Sequence, residues 1–180
     1  MEERARAYGA IPEKREAYRV ALQEVVAITS GENDTIANLA NAVAILSERL
    51  GFFWIGTYRL IERELVLGPF QGTTACSRIG LGRGVCGAAA SRGETILVPD
   101  VHAFPGHIAC DARSRSEIVV PLRDERGVLR GVLDVDSDRA AAFDEADRAG
   151  LEAIAAALAP SWRDAPAVPP GAGNPTQTPG

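Results

Sequence analysis

A chain of 180 residues is long enough for one well-buried domain and short for two, and its 46% apolar share is ordinary for a globular protein. A formal charge of −5 with scattered arginines leaves no basic stripe for nucleic acid, and no apolar run reaches membrane-spanning length. The opening segment, MEERARAYGAIPEKREAYR, is charged throughout and lacks the apolar stretch of a secretory leader, so the expected location is the cytoplasm, where thiols stay reduced.

Residues 1–12 read as an N-terminal extension. From residue 13 to about 30, Ala17, Val20, Ala21, Val25 and Ile28 recur at helical spacing until Gly31. Asp34 then offers an N-cap for a second helix, with Ile36, Leu39, Val43, Leu46 and Leu50 along one face before Gly51. FFWIGTYRL is aromatic and β-branched and reads as a strand, with ELVLGPF as its hairpin partner. The alanine-rich GVCGAAASRG predicts a short helix, and TILVP a third strand. A long loop follows, from Asp100 to about Ser116; loops of that length inside a compact domain are commonly functional. EIVVPLR and VLRGVLDVDS flank DERG and predict a hairpin, and a last helix runs from Asp144 through Leu158. From Pro160 onward, six of the eleven prolines gather with glycine, which predicts a disordered tail over 160–180. Helices at both ends and hairpin-linked strands between them predict an α+β domain over 13–159. Its mostly antiparallel sheet has the terminal helices on one face and a ligand pocket on the other.

The last hairpin gathers acids. If DERG is the loop, Arg123 faces Val128, Ile118 faces Leu133, Val120 faces Gly131 and Leu122 faces Leu129, giving one apolar face. The other face sets Glu117 across from Asp134, with Asp136 two residues further along. Three neighbouring carboxylates repel one another, so at least one pKa is expected to rise, and such a group can donate a proton near neutrality. Spacing alone fits a solvated polar face equally well; the position of Glu117, seven residues after a cysteine-bearing loop, favours chemistry.

Three cysteines, Cys76, Cys86 and Cys110, cannot all pair within one chain, and no CxxC supports a zinc ribbon or a thioredoxin-type motif. His102, His107 and Cys110 have irregular spacing and one thiolate, a poor match to zinc ligand patterns, so no metal site is expected. A thiol–disulfide cycle fits better: one thiolate attacks an electrophile, and a second cysteine resolves the sulfenic acid. Cys86, near the start of a short helix, is expected to have its pKa lowered by the helix dipole.

LVLGPFQGTTACSRIGLGRGVCGAAA, ILVPDVHAFPGHIACDARSRSEIVVP and GVLDVDS closely resemble the free methionine-(R)-sulfoxide reductases, catalytic members of the GAF-domain family, over about residues 15 to 158. The resemblance implies a single GAF-type domain that reduces free methionine (R)-sulfoxide. It implies Cys110 as the nucleophile, Cys76 as the resolving cysteine and Cys86 as a possible further relay. It also implies that Glu117, Asp134 and Asp136 form an acidic pocket for the sulfoxide oxygen and the substrate amine, and that Trp54 and Tyr58 form an aromatic wall for the S-methyl group. No bound cofactor is implied. Thioredoxin, kept reduced by thioredoxin reductase and NADPH, is the implied reductant, and a homodimer the implied assembly. Two other readings compete: a GAF small-molecule sensor, which has no need of three cysteines, and a thiol redox switch, which has no need of the acids or the aromatic wall.

Overall fold

The computed structural model describes residues 11–106 and 111–162. Two helices open the domain, α1 (Ile11–Thr29) and α2 (Thr35–Leu50). The Asp34 carboxylate caps α2 by accepting from the Ala37 amide at 2.8 Å. Then come β1 (Trp54–Ile61), β2 (Glu64–Gln71), β3 (Arg78–Gly80), α3 (Gly84–Arg92), β4 (Ile96–Val98), β5 (Ser116–Arg123), β6 (Leu129–Ser137) and α4 (Glu145–Ala157). The six strands form one sheet in the order β3-β2-β1-β6-β5-β4, with every neighbouring pair antiparallel. The α+β architecture expected from the sequence is the one observed, with TILVP as the fourth strand because β3 precedes it.

Alternation along the strands assigns the two faces. Ile55 of β1, Ile118, Val120 and Leu122 of β5, and Leu133 and Val135 of β6 point into a core shared with Val25, Leu39, Leu46, Leu151, Ile154 and Leu158 of the helices. On the opposite face Tyr58, Leu65, Val119 and Val132 pack with Val85, Cys86 and Ala89 of α3 in a second, smaller cluster. One face of the sheet is thus filled by the three long helices, and the other is only partly covered by a helix of nine residues.

The β5–β6 register differs from the expected one by two residues. Glu117 stands opposite Asp136, Ile118 opposite Val135, Val120 opposite Leu133 and Leu122 opposite Gly131. The cause lies in the turn. The Asp124 amide donates to the Val128 carbonyl at 3.0 Å, and the Asp124 carboxylate accepts from the Arg126 and Val128 amides at 3.0 and 2.9 Å. Only Glu125, Arg126 and Gly127 remain in the loop, with Gly127 at φ 78°, a conformation that favours glycine. A bulge at Leu122/Arg123 takes up the second residue, and Arg130 reaches back to Asp124 at 2.8 Å. A shift of two keeps every side chain on its face, so the apolar and acidic faces stand as expected.

The domain also runs past its expected end. Ala159–Trp162 form a 3-10 turn whose Trp162 is buried in the helix-side core, so the expected disordered tail does not begin at Pro160. The rest of that tail and residues 1–10 lie outside the described residues.

A buried charge network ties the first helix to the last. Lys14 Nζ donates to Asp147 Oδ2 at 2.6 Å and to Asp144 Oδ2 at 3.0 Å, while the Tyr18 hydroxyl donates to Asp147 Oδ1 at 3.0 Å. Asp144 and Asp147 also form the reciprocal capping box that starts α4. Removing one partner of a buried pair strands the other. Lys14→Met is therefore expected to destabilise the domain by about 3–5 kcal/mol. Lys14→Met/Asp147→Asn should recover part of that loss, as read from denaturant midpoints; a Lys14→Met midpoint equal to wild type would remove the network from any account of stability.

Candidate active site

The pocket face is built in rows across β1, β6 and β5. Trp54 pairs with Asp136, and Asp136 pairs in turn with Glu117. One step along, Gly56 pairs with Asp134, and Asp134 with Val119. Directly paired residues share a face, so the aromatic ring and all three acids project from one end of the sheet to one side. Tyr58, two residues beyond Gly56, extends the same face, and its ring centroid lies 6.4 Å from that of Trp54. The Trp54 indole lies over Gly56, where any side chain would collide with it, and stacks on Phe70 of β2 at 5.7 Å. Its Nε1 donates to the Thr73 carbonyl at 2.9 Å, which fixes the ring and pins the β2–β3 connection above it.

Two small adjoining cavities open on this face. Trp54, Tyr58, Thr74 and Ala75 line one, while Arg83, Val85, Cys86 and Glu117 line the other. Asp111, Asp134 and Asp136 line both, so the two are compartments of one site with acids between them. Trp54 and Tyr58 therefore meet Glu117, Asp134 and Asp136 on one face of the sheet.

Burial dominates the electrostatics. It pushes the Glu117 carboxyl well above the usual range, and the neighbouring Asp134 and Asp136 push it further. Asp136 rises for the same reasons, burial first and the Asp134 charge second. Asp134 is pushed up to about 6 by burial, against hydrogen bonds from Cys86 and Glu117 that lower it. The three titrate as a cluster, and burial with their mutual repulsion favours its protonated form. Asp134 is only 6% exposed, and its buried Oδ1 has no hydrogen-bond partner among the described residues.

The cysteines divide. Cys86, in the first turn of α3, is free and buried, and its Sγ lies 3.8 Å from Glu117 Oε1. The expected lowering of its pKa by the helix dipole does not occur: burial, then the Asp134 and Glu117 charges, push the thiol well up. A helix end offers partial charge, whereas two carboxyl groups within contact offer more of the opposite sign. Cys76, in the β2–β3 connection, is half-buried and disulfide-bonded. Cys110 and His107 lie outside the described residues. His102 is exposed on a 3-10 turn.

The GAF-domain family model matches residues 33–161. GAF domain-containing protein A of Dictyostelium discoideum is 52% identical over 142 residues, covering 78% of this chain and 89% of its own. The free methionine-R-sulfoxide reductase of Escherichia coli K12 is 47% identical over 146 residues, covering 81% of this chain and 88% of its own. The X-ray structure of free methionine-R-sulfoxide reductase from Neisseria meningitidis in complex with its substrate superposes with a TM-score of 0.80 at 48% identity, over 83% of this chain and 90% of that one. This chain belongs to the free methionine-R-sulfoxide reductase family of GAF-domain proteins.

Within that family of oxidoreductases, the site holds groups that the sequence reading left out. Asp111 accepts from the Thr73 hydroxyl at 2.8 Å and pairs with Arg113 at 2.7 Å, and these contacts hold its carboxyl well below the usual range. Arg113 in turn sits over the Phe53 ring, 5.0 Å from its centroid. Asp111 thereby ties the loop after Cys110 to the connection that carries Cys76. The Asp-x-Arg spacing, with the Arg113 amide donating to Asp111 Oδ1 at 2.9 Å, was the signal available in the sequence. Ser114, buried beside the acids, hydrogen-bonds Asp136.

The raised carboxyls make a prediction with a definite sign. A group whose folded pKa lies above its unfolded value of about 4 costs no stability below that pH. Its cost grows as pH rises and levels off above the folded pKa. Glu117→Gln is thus expected to melt higher than wild type at pH 8, with the gap closing toward pH 4. A Glu117→Gln melting temperature below wild type across the whole range would mean that the carboxyl is stabilising.

Proposed function

We propose that this protein reduces free methionine (R)-sulfoxide to methionine by a cysteine cycle. The observation that carries the reading is the row Trp54, Asp136, Glu117, which sets an apolar wall against a buried acid cluster beside two small cavities. Sulfoxide oxygen leaves only once protonated, and Glu117, with its raised pKa, is the proton donor the first step needs. The substrate methyl packs on Trp54 and Tyr58. Its ammonium pairs with the ionised members of the cluster, Asp134 and Asp136. Its carboxylate faces Arg83 and the N-terminal end of α3, where backbone amides and a cation favour an anion.

The Cys110 thiolate attacks the sulfoxide sulfur as Glu117 protonates the oxygen; the new sulfur–sulfur bond and the S–O bond then break as the hydroxyl passes to the Cys110 sulfur, leaving a sulfenic acid and free methionine. Cys76 then attacks the sulfenic sulfur, water departs and a Cys76–Cys110 disulfide remains. The disulfide-bonded state of Cys76 and the free state of Cys86 support this pairing. Thioredoxin, itself reduced by thioredoxin reductase with NADPH, returns both thiols by exchange. Cys86 is retained as a further relay; protonated at rest, it enters only after the first disulfide is made. The working location is the cytoplasm and the assembly a homodimer.

In thioredoxin-coupled turnover, NADPH consumption should require free (R)-sulfoxide. The N-acetylated, C-amidated compound should be poorly used, since each lost charge-assisted contact costs about 1.5–3 kcal/mol. Comparable rates on the blocked compound, or preference for (S), would defeat the reading. Cys110→Ser should abolish turnover, whereas Cys76→Ser should complete one reduction and stall. A methionine burst from Cys110→Ser would remove it as nucleophile. Glu117→Gln should slow turnover roughly 10²- to 10⁴-fold, and an unchanged rate would assign the proton elsewhere.

A further inference from the structure

The acid cluster holds a second set of donors that the reduction does not use together. Cys86 Sγ, a Glu117 carboxylate oxygen and an Asp134 carboxylate oxygen all lie within 4.8 Å of one another, and all three residues are buried. We propose that these residues form a binding site for one thiophilic divalent cation, Zn²⁺ being the physiological candidate.

Geometry carries the proposal. Zinc with sulfur and oxygen ligands at roughly 2.0–2.3 Å in a tetrahedron sets its ligand atoms about 3.3–3.8 Å apart. The Cys86–Glu117 pair already stands at 3.8 Å. An Asp134 carboxylate oxygen stands within 4.8 Å of both. An independent sign points the same way: the buried Asp134 Oδ1 has no hydrogen-bond partner among the described residues, although buried carboxylate oxygens are almost always satisfied. Asp134 therefore keeps an acceptor oxygen free for a ligand. Three protein ligands leave a fourth position, which faces the cavity lined by Ser114, Asp111 and Asp136 and takes water. The donor set selects the metal. A thiolate with two carboxylates suits zinc or cadmium, whereas magnesium and calcium take oxygen ligands only and in larger number. On the activity proposed above, the cation and the sulfoxide claim the same acids and exclude each other.

The test is direct binding to protein oxidised until thiol titration finds one free thiol per chain, so that Cys86 is the thiolate reported. Cd²⁺ is the probe, followed by its thiolate charge-transfer absorption in the ultraviolet, with Zn²⁺ as competitor and Mg²⁺ as control. One equivalent of Cd²⁺ is expected to saturate the band, Zn²⁺ to displace it and Mg²⁺ to leave it unchanged. Cys86→Ala should abolish the band, and Asp134→Asn and Glu117→Gln should each weaken binding by about tenfold or more. Near-ultraviolet circular dichroism identifies the folded variants, and Cys86→Ser serves if Cys86→Ala does not fold. No band, a band that survives loss of the Cys86 thiol, or an affinity indifferent to both acid substitutions would overturn the site. Free methionine sulfoxide should raise the apparent Kd for Cd²⁺. Binding unaffected by saturating sulfoxide would instead leave the metal site standing and refute the substrate placement.

Discussion

Glu117 and Asp136 face each other directly across β5 and β6, with Asp134 one step along, and burial withholds the water that three negative charges would need. Everything distinctive about the site follows from that crowding. A cluster that keeps a proton at neutral pH is a donor and an anion at once. Such a pair of roles suits a zwitterionic substrate bearing a basic oxygen at one end and an ammonium at the other.

The rest of the fold holds the crowding in place. The helix-side core fixes which way β5 and β6 face, because turning the acids inward would bring Ile118, Val120, Leu133 and Val135 out to solvent. The Lys14–Asp147 network locks the helices that make that core. On the pocket side, Trp54 anchors the β2–β3 connection through Thr73, and Asp111 anchors the loop after Cys110 to the same residue. The connection that carries Cys76 and the loop from Asp111 onward are therefore held beside one acid cluster by side chains that do no redox chemistry themselves.

Much of this was legible in the residues. Periodicity marked α1, α2 and α4, alanine content marked α3, Asp34 and Asp144 marked two helix starts, and alternation put Glu117, Asp134 and Asp136 on one face. The misses have physical causes. The register slipped by two because the Asp124 carboxylate takes over backbone hydrogen bonds in the turn and Arg130 folds back onto it, neither of which alternation encodes. β3 has three residues, too few for a pattern. Trp162 lies in a proline-rich stretch with no apolar pattern around it, and its burial in the helix-side core is a tertiary contact. Cys86 misled because helix position was weighed without the carboxyls that only the fold brings to it. Burial first, and those carboxyls second, raise its pKa.

The central claim is that the cluster carries a proton at neutral pH. Infrared difference spectroscopy between pH 7.5 and pH 10, with wild type beside Glu117→Gln, reads the carbonyl stretch of a protonated carboxyl directly. The account predicts such a band in wild type at pH 7.5 and its loss or displacement in Glu117→Gln. Fully ionised carboxylates at pH 7.5 in wild type would contradict it.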